Sequence, residues 1–437
     1  MAGSDLTGTN GEGEAYVLVA DLFRHQAGKI VATLTRVFGA RHLDLAEDAV
    51  QDALIKALQQ WPFKGIPENP AGWLTLVARN RSLDILRRDS SLAHKVAQLE
   101  LALSQANRAP GPDQPEMDDQ LALILMCSHP ALALECQIAL TLKTACGFST
   151  AEIARAFLTP ETTIAQRLVR AKRQIRELDI VIDLPCEDDL GQRLESILRV
   201  IYLVFNEGYG AARGDDLVRT DLCGEAIRLA TLLLQHRQLQ LPAVHALLAL
   251  MMLQAARLPA RTQNDGTLAI LEKQDRSLWD QRLIAKGLRH FGCSAAGNTL
   301  TTYHLQAEIA VIHATAATDA QTDWEGIVAR YDQLYRLEPT PIVALNGAIA
   351  TSRWLGPEAG LRALEEVSSH PALRNYHLLP AVSAELWKQS GDLDRAAAAY
   401  RAALVCQCSE PERRFLESQL KAVLNNDLTQ PAEQATA

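Results

Sequence analysis

Residues 149–173 read STAEIARAFLTPETTIAQRLVRAKR, and this stretch decides the fold of the region around it. Ser149 followed three residues later by Glu152 predicts a capping box at the start of a short helix. Thr159 is expected to cap a second helix that holds Pro160 in its first turn. Two short helices joined by a tight turn are typical of a helix-turn-helix, whose second helix enters the major groove of DNA.

The charge of this segment differs from that of the whole chain. Seven basic and three acidic residues lie between Lys143 and Glu177, whereas the chain holds 43 Lys and Arg against 52 Asp and Glu, a net charge of -9. A local basic patch in an acidic protein is the electrostatic footprint of a DNA contact, although a solvated helix face is the alternative for each basic residue. The residues expected to contact base edges or phosphates are Thr159, Glu161, Thr162, Thr163, Gln166, Arg167, Arg170, Lys172 and Arg173.

Upstream, residues 69–88 read NPAGWLTLVARNRSLDILRR and combine an aromatic, an amide and four arginines. This combination suits capture of single-stranded DNA, because arginines neutralise phosphates while an aromatic and an amide hold an unstacked base. The residues expected to take part are Trp73, Arg79, Asn80, Arg81, Asp84, Arg87 and Arg88. For Trp73, an ordinary core position is an equally good interpretation.

Two interruptions divide the first part of the chain. WPFKGIPENP at 61–70 ends a long helix and starts the next one with Pro70. APGPDQPEMDD at 109–119 holds three prolines and four acids, which predicts a linker. The expected organisation is a disordered tail at 1–13, helical domains at 14–105 and 121–180 separated by a linker at 106–120, a helical array at 181–425 and a disordered tail at 426–437.

A degenerate repeat marks the predicted array. Two sets of residues recur at offsets of 0, 4, 7 and 12, and a third set matches in part. The sets are Ile327, Tyr331, Leu334 and Pro339; Ala359, Ala363, Glu366 and Pro371; and Ala396, Tyr400 and Ala403. In the third copy, Gly391 is expected to form the turn between the two helices. This pattern is similar to the second helix of a tetratricopeptide (TPR) unit, and generic helical hairpins are the alternative.

Composition favours an all-α protein. Of the 437 residues 48% are apolar and only 5% aromatic, with Leu and Ala in nearly every window. Because no phosphate loop, HExxH, GxSxG or metal-spaced Cys and His cluster occurs, we expect no enzyme, no cofactor and no bound metal. The start lacks the features of a secretory signal, and the apolar runs are shorter than a membrane span of about 20 residues. We therefore expect a cytoplasmic protein with its eight cysteines reduced and buried.

Together these motifs resemble an extracytoplasmic-function (ECF) sigma factor of the sigma-70 family of bacterial RNA polymerase. The matching text is LAEDAVQDALIKAL at 45–58, residues 69–88, and GFSTAEIARAFLTPETTIAQRLVRAKRQI at 147–175. The resemblance implies sigma region 2 at 14–105, which reads the -10 element, and sigma region 4 at 121–180, which reads the -35 element and lies at the polymerase beta flap. It also implies that the clamp helices of the largest polymerase subunits bind Asp44, Asp48, Gln51 and Asp52.

The rest of the chain resembles the subgroup of these factors that carries a C-terminal TPR-like extension. The matching text includes YLVFNEGY at 202–209 and the stretch at 322–364. The resemblance implies a regulatory domain that senses an unknown ligand or protein, or that clamps the two DNA readers, without a membrane partner. Asn206, Glu207 and Tyr209 are then expected at an inter-domain contact, and a plain helix-helix turn is the alternative.

Two other classes of protein remain open at this point. A helix-turn-helix regulator or adaptor with helical repeats would bind duplex DNA without replacing the sigma subunit. The single-strand reading segment at 69–88 argues against it, because a regulator needs no such reader. An enzyme within the array is the third possibility, and no nucleophile-base or metal constellation supports it.

Overall fold

The computed structural model describes residues 26–88, 119–157, 159–182, 187–210, 218–262, 267–406 and 408–427. Within these ranges the chain is helical and forms no β-strand, and one isolated antiparallel bridge joins Thr262 and Leu268. The all-α prediction is therefore confirmed. The chain divides into two compact units, Met1–Val200 and Ile201–Ala437. The predicted N-terminal tail, most of the predicted C-terminal tail and most of the predicted linker lie outside the described residues.

The first unit consists of short and medium-length helices. They are α1 (26–38), α2 (Leu43–Lys64), α3 (Pro70–Arg88), α4 (Asp119–Cys127), α5 (Leu134–Leu140), α6 (Thr150–Ala156), α7 (Glu161–Glu177) and the start of α8 (Glu187–Tyr209). A long helix, α2, does end at Lys64, within the predicted interruption at 61–70. The helical pattern upstream is not continuous, because Gly39 adopts a φ of 88° and a 3-10 turn at Ala40–His42 separates α1 from α2. Pro62 lies inside the last turn of α2. Its missing N–H costs the helix one hydrogen bond, but the helix continues to Lys64. Pro70 does begin α3, as predicted.

Helix α4 begins before the predicted end of the linker. The Asp119 carboxylate pairs with Arg36 Nε at 2.7 Å and accepts a hydrogen bond from the Thr33 hydroxyl at 2.6 Å. Gln120 is buried, and its Nε2 donates to the Ala145 carbonyl at 2.8 Å. These contacts hold the first residues of α4 against α1 and against the π-helical turn that follows α5. Residues 119 and 120 are therefore helical, and the predicted linker is too long by these two positions.

The helix-turn-helix consists of α6 and α7, which pack against each other. The Ser149 N–H donates to Glu152 Oε2 at 2.8 Å and the Glu152 N–H donates to Ser149 Oγ at 3.1 Å, which confirms the predicted capping box. The prediction for the second helix is wrong in detail. The Thr159 hydroxyl donates back to the Phe157 carbonyl at 2.8 Å, so it does not cap α7. Pro160, with extended backbone, is the residue that precedes α7.

The second unit is an array in which helices that follow one another in the chain pack together. Its helices are the end of α8, α9 (Thr220–Leu233), α10 (Pro242–Ala255), α11 (Gln281–Ser294), α12 (Thr302–Thr315), α13 (Trp324–Leu337), α14 (Pro341–Leu355), α15 (Pro357–Ser368), α16 (Leu378–Gln389), α17 (Leu393–Val405) and α18 (Glu410–Asp427). Helix α18 thus runs two residues into the predicted C-terminal tail.

Helix α10 lies in the core of the array. Every residue from Ala246 to Leu253 is buried. By length and apolar composition, the stretch Pro242–Ala260 would suffice to cross a membrane, with a mean hydropathy of 1.4 in its most apolar window. Of that window 67% is buried inside the protein. A helix that is apolar on all sides and buried by its neighbours is typical of the centre of a large helical domain.

The three repeat sets fall on alternate helices, α13, α15 and α17. Ile327 and Leu334 of the first set are buried, as are all three members of the third set. Gly391 has a φ of 83° and forms the predicted turn between α16 and α17. In the second set Ala359 and Ala363 are half-buried and Glu366 is exposed, so the repeat sets share a place on alternate helices but not the same degree of burial.

The cysteines are free thiols wherever the structure describes them. Cys127, Cys136, Cys146 and Cys223 are buried, and burial raises the pKa of Cys127 to about 12, so this group stays protonated. Cys293 is exposed, and Cys406 and Cys408 are half-buried, so the expectation of burial is wrong for these three residues.

Candidate polymerase and nucleic-acid interface

One face of α2 is exposed along much of its length. Three of the predicted polymerase-binding residues, Asp44, Asp48 and Gln51, lie on it. Ile55 and Leu58 continue the same face and are 52% and 37% exposed. Spacings of four, three, four and three residues keep all five side chains on one side of the helix, here called the α2 stripe. Sequence reasoning missed the two apolar members, although their spacing from Gln51 was a usable signal.

Asp52, the fourth predicted polymerase-binding residue, lies to the side of the α2 stripe. Its Oδ2 accepts a hydrogen bond from Arg81 Nε at 2.6 Å, with both side chains partly exposed. Arg81 was predicted to contact the DNA strand. The two residues pair with each other and join α2 to α3.

The second half of α3 carries an exposed polar face. Asn80, Asp84, Arg87 and Arg88 are all exposed, and Arg87 Nη1 lies 3.4 Å from Asp84 Oδ1. Arg79 is half-buried, and its Nε has no hydrogen-bond partner among the residues that the structure describes. A buried N–H group without a partner is uncommon in folded proteins. The structure thus brings an exposed amide and a guanidinium with a free donor together at the predicted strand-binding site.

Trp73 combines the two interpretations that the sequence allows. Its ring packs edge-on against Trp61, with ring centroids 5.5 Å apart, and Trp61 is only 3% exposed. Trp73 itself is half-buried, so it packs against the core without being enclosed by it. Phe63 and Leu76 are exposed at 82% and 52%, and neither was predicted as a site residue. The surface around α2 and α3 is therefore apolar as well as basic.

Helix α7 has one buried side and one polar side. Its buried residues are Ile164, Leu168, Ala171 and Ile175. Of the predicted DNA contacts, Glu161, Thr162, Gln166, Arg170 and Arg173 are exposed, whereas Thr159, Thr163 and Arg167 are half-buried. The exposed residues start at the first turn of the helix and continue to its basic end. This is the arrangement in which a recognition helix presents its first turns to base edges and its later residues to the backbone.

Lys172 is the exception among the predicted -35 contacts. Its Nζ lies 2.7 Å from Asp44 Oδ1 and 2.6 Å from Glu47 Oε2, and Arg176 Nη1 lies 2.8 Å from Asp44 Oδ2. Burial acts to lower the pKa of Lys172, but the two carboxylates outweigh it and raise that pKa. Burial also raises the pKa of Glu47, opposed by Lys172. A predicted DNA contact and a predicted polymerase contact therefore bind each other, a long-range pairing for which the sequence holds no signal.

The NEGY motif at 206–209 lies at the end of α8 in the second unit. Burial acts to raise the pKa of Tyr209, but the guanidinium groups of Arg257 and Arg261 outweigh it and lower that pKa. Arg261 stacks over the Tyr209 ring at 4.0 Å, and Arg257 Nη2 donates to the Tyr209 hydroxyl at 2.6 Å. Asn206 is exposed, and burial raises the pKa of Glu207 to about 7, partly offset by Arg219. The contacts described for Tyr209 thus lie within the array itself.

Two family matches fall on the first unit. Residues 22–91 match Sigma-70 region 2, and residues 122–175 match Sigma-70, region 4. The chain belongs to the sigma-70 family. Sigma-70 domains bind core RNA polymerase and promoter DNA and act in promoter-directed transcription. They are DNA-binding regulators without catalytic activity, in agreement with the expectation that the chain is not an enzyme.

The comparisons extend beyond the first unit. Residues 193–295 match a family of unknown function (DUF6596). An uncharacterized protein of Rhizobium meliloti (strain 1021) is 39% identical over 394 residues, which cover 89% of this chain and 92% of that protein. No solved structure matches the chain. The similarity to the relative therefore includes much of the helical array together with the sigma regions.

Proposed function

We propose that the chain is an alternative sigma factor of the ECF type, whose region 2 binds the clamp helices of the largest subunits of core RNA polymerase. The α2 stripe carries this proposal. Asp48 and Gln51 are exposed in line with Ile55 and Leu58, so a partner that covers the stripe removes apolar surface from water and meets acidic groups at one end. Complementary basic groups on the partner would fix the register of docking.

Promoter recognition is divided in this proposal between α3 and α7. Asn80 holds a flipped base of the melted -10 strand, while Arg79, Arg87 and Arg88 neutralise its phosphates. Glu161, Thr162 and Gln166 read base edges of the -35 element, where each good contact is worth about 1 to 3 kcal/mol of discrimination. Region 4, at 121–180, also contacts the polymerase beta flap.

The pairing of Lys172 with Asp44 and Glu47 gives region 4 a further role in the free chain. Asp44 is the first residue of the α2 stripe, and two basic groups of α7 hold it. Polymerase that binds the whole α2 stripe must therefore displace these groups. We assign Lys172 to this contact and not to a DNA phosphate.

The array at 181–425 is proposed to be a TPR-like regulatory domain of a factor that acts in the cytoplasm, without a cofactor. The repeat sets on α13, α15 and α17 support the TPR-like assignment. Asn206, Glu207 and Tyr209 support the regulatory one, because Arg257 and Arg261 hold the Tyr209 side chain while Asn206 is exposed at the same helix end. An unknown ligand or protein is the proposed signal.

The test is co-elution of the purified full-length chain with sigma-free core RNA polymerase. We expect a stable complex that is weakened when Asp48 and Ile55 are both changed to Ala. The matched control is Lys56→Ala, because Lys56 is an exposed residue of α2 that lies off the α2 stripe. Asn80→Ala should leave the complex intact and reduce promoter opening. No complex with the polymerase would overturn the proposal in favour of a helix-turn-helix adaptor.

Regulation by the array has its own test in the full-length chain. Tyr209→Phe removes the hydroxyl that Arg257 holds and keeps the ring that Arg261 covers. We expect altered promoter output with unchanged binding to the polymerase. Unchanged output from this variant and from Asn206→Ala would contradict a regulatory role of the motif.

A further inference from the structure

The array contains a polar cleft that the proposed sigma function does not use. Its volume is about 570 Å³, within the range of small-molecule sites. Four carboxamides line it, from helices α8, α10, α12 and α14. They are Asn206, Gln254, Gln306 and Asn346. Tyr202, Tyr331 and His313 add polar groups, so a single molecule in the cleft would meet hydrogen-bonding groups from several helices at once.

Two polar atoms of the cleft wall lack partners. Arg257 Nε and His313 Nδ1 are buried, and neither has a hydrogen-bond partner among the described residues. A buried donor without a partner costs about 1 to 3 kcal/mol, so a native protein rarely keeps one unless something else satisfies it. Burial, together with Arg257 and Arg276, lowers the pKa of His313 to about 3, so the imidazole is neutral at physiological pH. A ligand that accepts a hydrogen bond from Arg257 Nε would supply the partner that this charged side chain lacks.

The charge of the cleft restricts the ligand. Arg257 is the only Lys or Arg among the described residues that line it. Its Nη2 is already bound to the Tyr209 hydroxyl at 2.6 Å, which leaves the buried Nε as a donor. One guanidinium surrounded by neutral amides and phenols matches one negative charge. A carboxylate fits this better than a doubly charged phosphate, for which a second cation is required.

The rim of the cleft carries the opposite charge. Glu338 is exposed and lines the cleft near Tyr202, whose pKa is raised by burial and also by Glu338. A carboxylate at the rim disfavours a second anionic group on the ligand and favours a cationic one. The apolar walls, formed by Leu271, Ile309 and Leu334, leave room for an apolar side chain between the two ends.

We propose that this cleft binds a small amino carboxylate, the size of an amino acid or a short peptide. Its carboxylate accepts a hydrogen bond from Arg257 Nε, and its ammonium group lies at Glu338. The carboxamides bind its remaining polar groups, and Gln306 contributes its Nε2 donor, because its Oε1 already accepts a hydrogen bond from the Tyr202 hydroxyl. Since Arg257 also holds Tyr209, occupancy of the cleft acts directly on the NEGY motif.

Isothermal titration calorimetry of the full-length protein tests the assignment. The probes are the common amino acids and their dipeptides, each added singly, and phosphate monoesters for comparison. We expect at least one zwitterion to bind at a single site and to bind about tenfold or more weakly once its carboxylate is amidated. Binding of no zwitterion, equal binding of the amide, or tighter binding of a phosphate monoester would overturn the proposal.

Three variants locate the bound molecule. Arg257→Gln should weaken binding about tenfold or more, whereas Arg282→Gln, which changes an exposed arginine of α11, should not. Glu338→Gln changes an exposed side chain and leaves the fold intact. This variant should weaken binding of the zwitterion but not of its N-acetyl derivative, which has no ammonium group. Glu338→Gln therefore tests the proposed ligand site even if Arg257→Gln fails to fold. Equal affinities in wild type and Glu338→Gln would place the ammonium group elsewhere and refute the proposed orientation.

The regulatory use of this site depends on the proposed sigma function, whereas binding does not. Calorimetry without polymerase reports on the cleft alone, and co-elution with polymerase reports on the sigma function alone. A chain that binds the zwitterion but no polymerase would support the cleft and refute the sigma assignment. The reverse result would refute the cleft only.

Discussion

The two units of the chain use polar side chains in opposite ways. In the first unit, exposed polar residues follow one face of a helix, as Asp48 and Gln51 do on α2 and Gln166 and Arg170 do on α7. In the second unit, polar residues from several helices converge on one cleft. Long partners such as DNA need an outward surface, whereas a small molecule needs enclosure. Helices alone therefore form both an exposed face for a long partner and an enclosed cleft for a small molecule.

The difference originates in how each unit buries its helices. Helix α7 buries a single stripe and leaves the rest of its surface to solvent. Helix α10 is buried on nearly all sides, because α11 and α12 pack against it. A helix with a single apolar stripe displays its polar face, while a fully buried helix organises other helices around itself. The predictions below compare the two units on this basis.

The largest effect is expected at the close contact between α8 and α9 in the array. A Cβ at Gly208 would lie 2.7 Å from the backbone nitrogen of Cys223 and 2.9 Å from the carbonyl oxygen of Arg219. Because backbone atoms cannot move aside, Gly208→Ala should lower the free energy of unfolding by about 1–3 kcal/mol. Gly191→Ala on the same helix meets no atom within 4 Å and should raise stability by about 0.5–1 kcal/mol. Urea unfolding of both variants measures this, and equal effects would contradict the predicted crowding.

In the first unit, the corresponding test is the contact between α7 and α2. Lys172→Ala leaves the Glu47 carboxylate, whose side chain is 11% exposed, without its partner at 2.6 Å. An unpaired buried carboxylate is costly, so we expect a loss of about 1–2 kcal/mol. Arg173→Ala removes a side chain that is 62% exposed and should cost less than about 0.5 kcal/mol. Chemical denaturation that finds the two variants equally stable would show that the contact with α2 contributes nothing.

A smaller effect is expected at the start of the helix-turn-helix. Ser149→Ala removes the hydroxyl that accepts from the Glu152 N–H at 3.1 Å. Loss of such a cap costs about 1 kcal/mol. Ser149→Asp restores an acceptor and should recover most of the stability. Thr159→Ala serves as a control, since its hydroxyl does not cap α7, and a loss as large as that of Ser149→Ala would contradict the structure.

A further effect, which depends on pH, is expected in the array. Burial raises the pKa of Glu207 from its ordinary 4.5 to about 7. In that interval the folded state holds a proton that the unfolded state has released, so the contribution of Glu207 to stability falls as the pH rises from about 4.5 to about 7. Glu207→Gln removes this cost. The variant should gain stability relative to wild type above pH 7 and lose that advantage toward pH 5, and a gain that grows toward low pH would have the wrong sign.

Local signals in the sequence predicted local structure well. The capping box of Ser149 and Glu152, the start of α3 at Pro70 and the turn at Gly391 depend on neighbouring residues, and the structure confirms all three. Thr159 was wrongly predicted to cap α7. A Thr hydroxyl at this position can accept from an N–H that follows it or donate to a carbonyl that precedes it, and spacing alone does not decide between the two hydrogen bonds. The break at Gly39 was missed because the apolar pattern continues across it.

Contacts between distant residues were not predictable in this way. Lys172 and Glu47 lie 125 positions apart, so only the folded chain shows that they pair. The cleft likewise combines residues from α8, α10, α12 and α14, of which the sequence singled out Asn206 for a different reason. Polar residues inside helical segments read as solvated surface until the packing of the helices is known.

The central claim is that the chain replaces the sigma subunit, and transcription in vitro tests it most directly. Full-length protein is mixed with sigma-free core RNA polymerase and a library of duplex DNA fragments, and the 5′ ends of the transcripts are sequenced. The account predicts start sites that share two motifs at a fixed spacing, with initiation lost in Asn80→Ala and the upstream motif altered in Gln166→Ala. Transcripts no different from those of core polymerase alone, while the chain still binds duplex DNA, would contradict it.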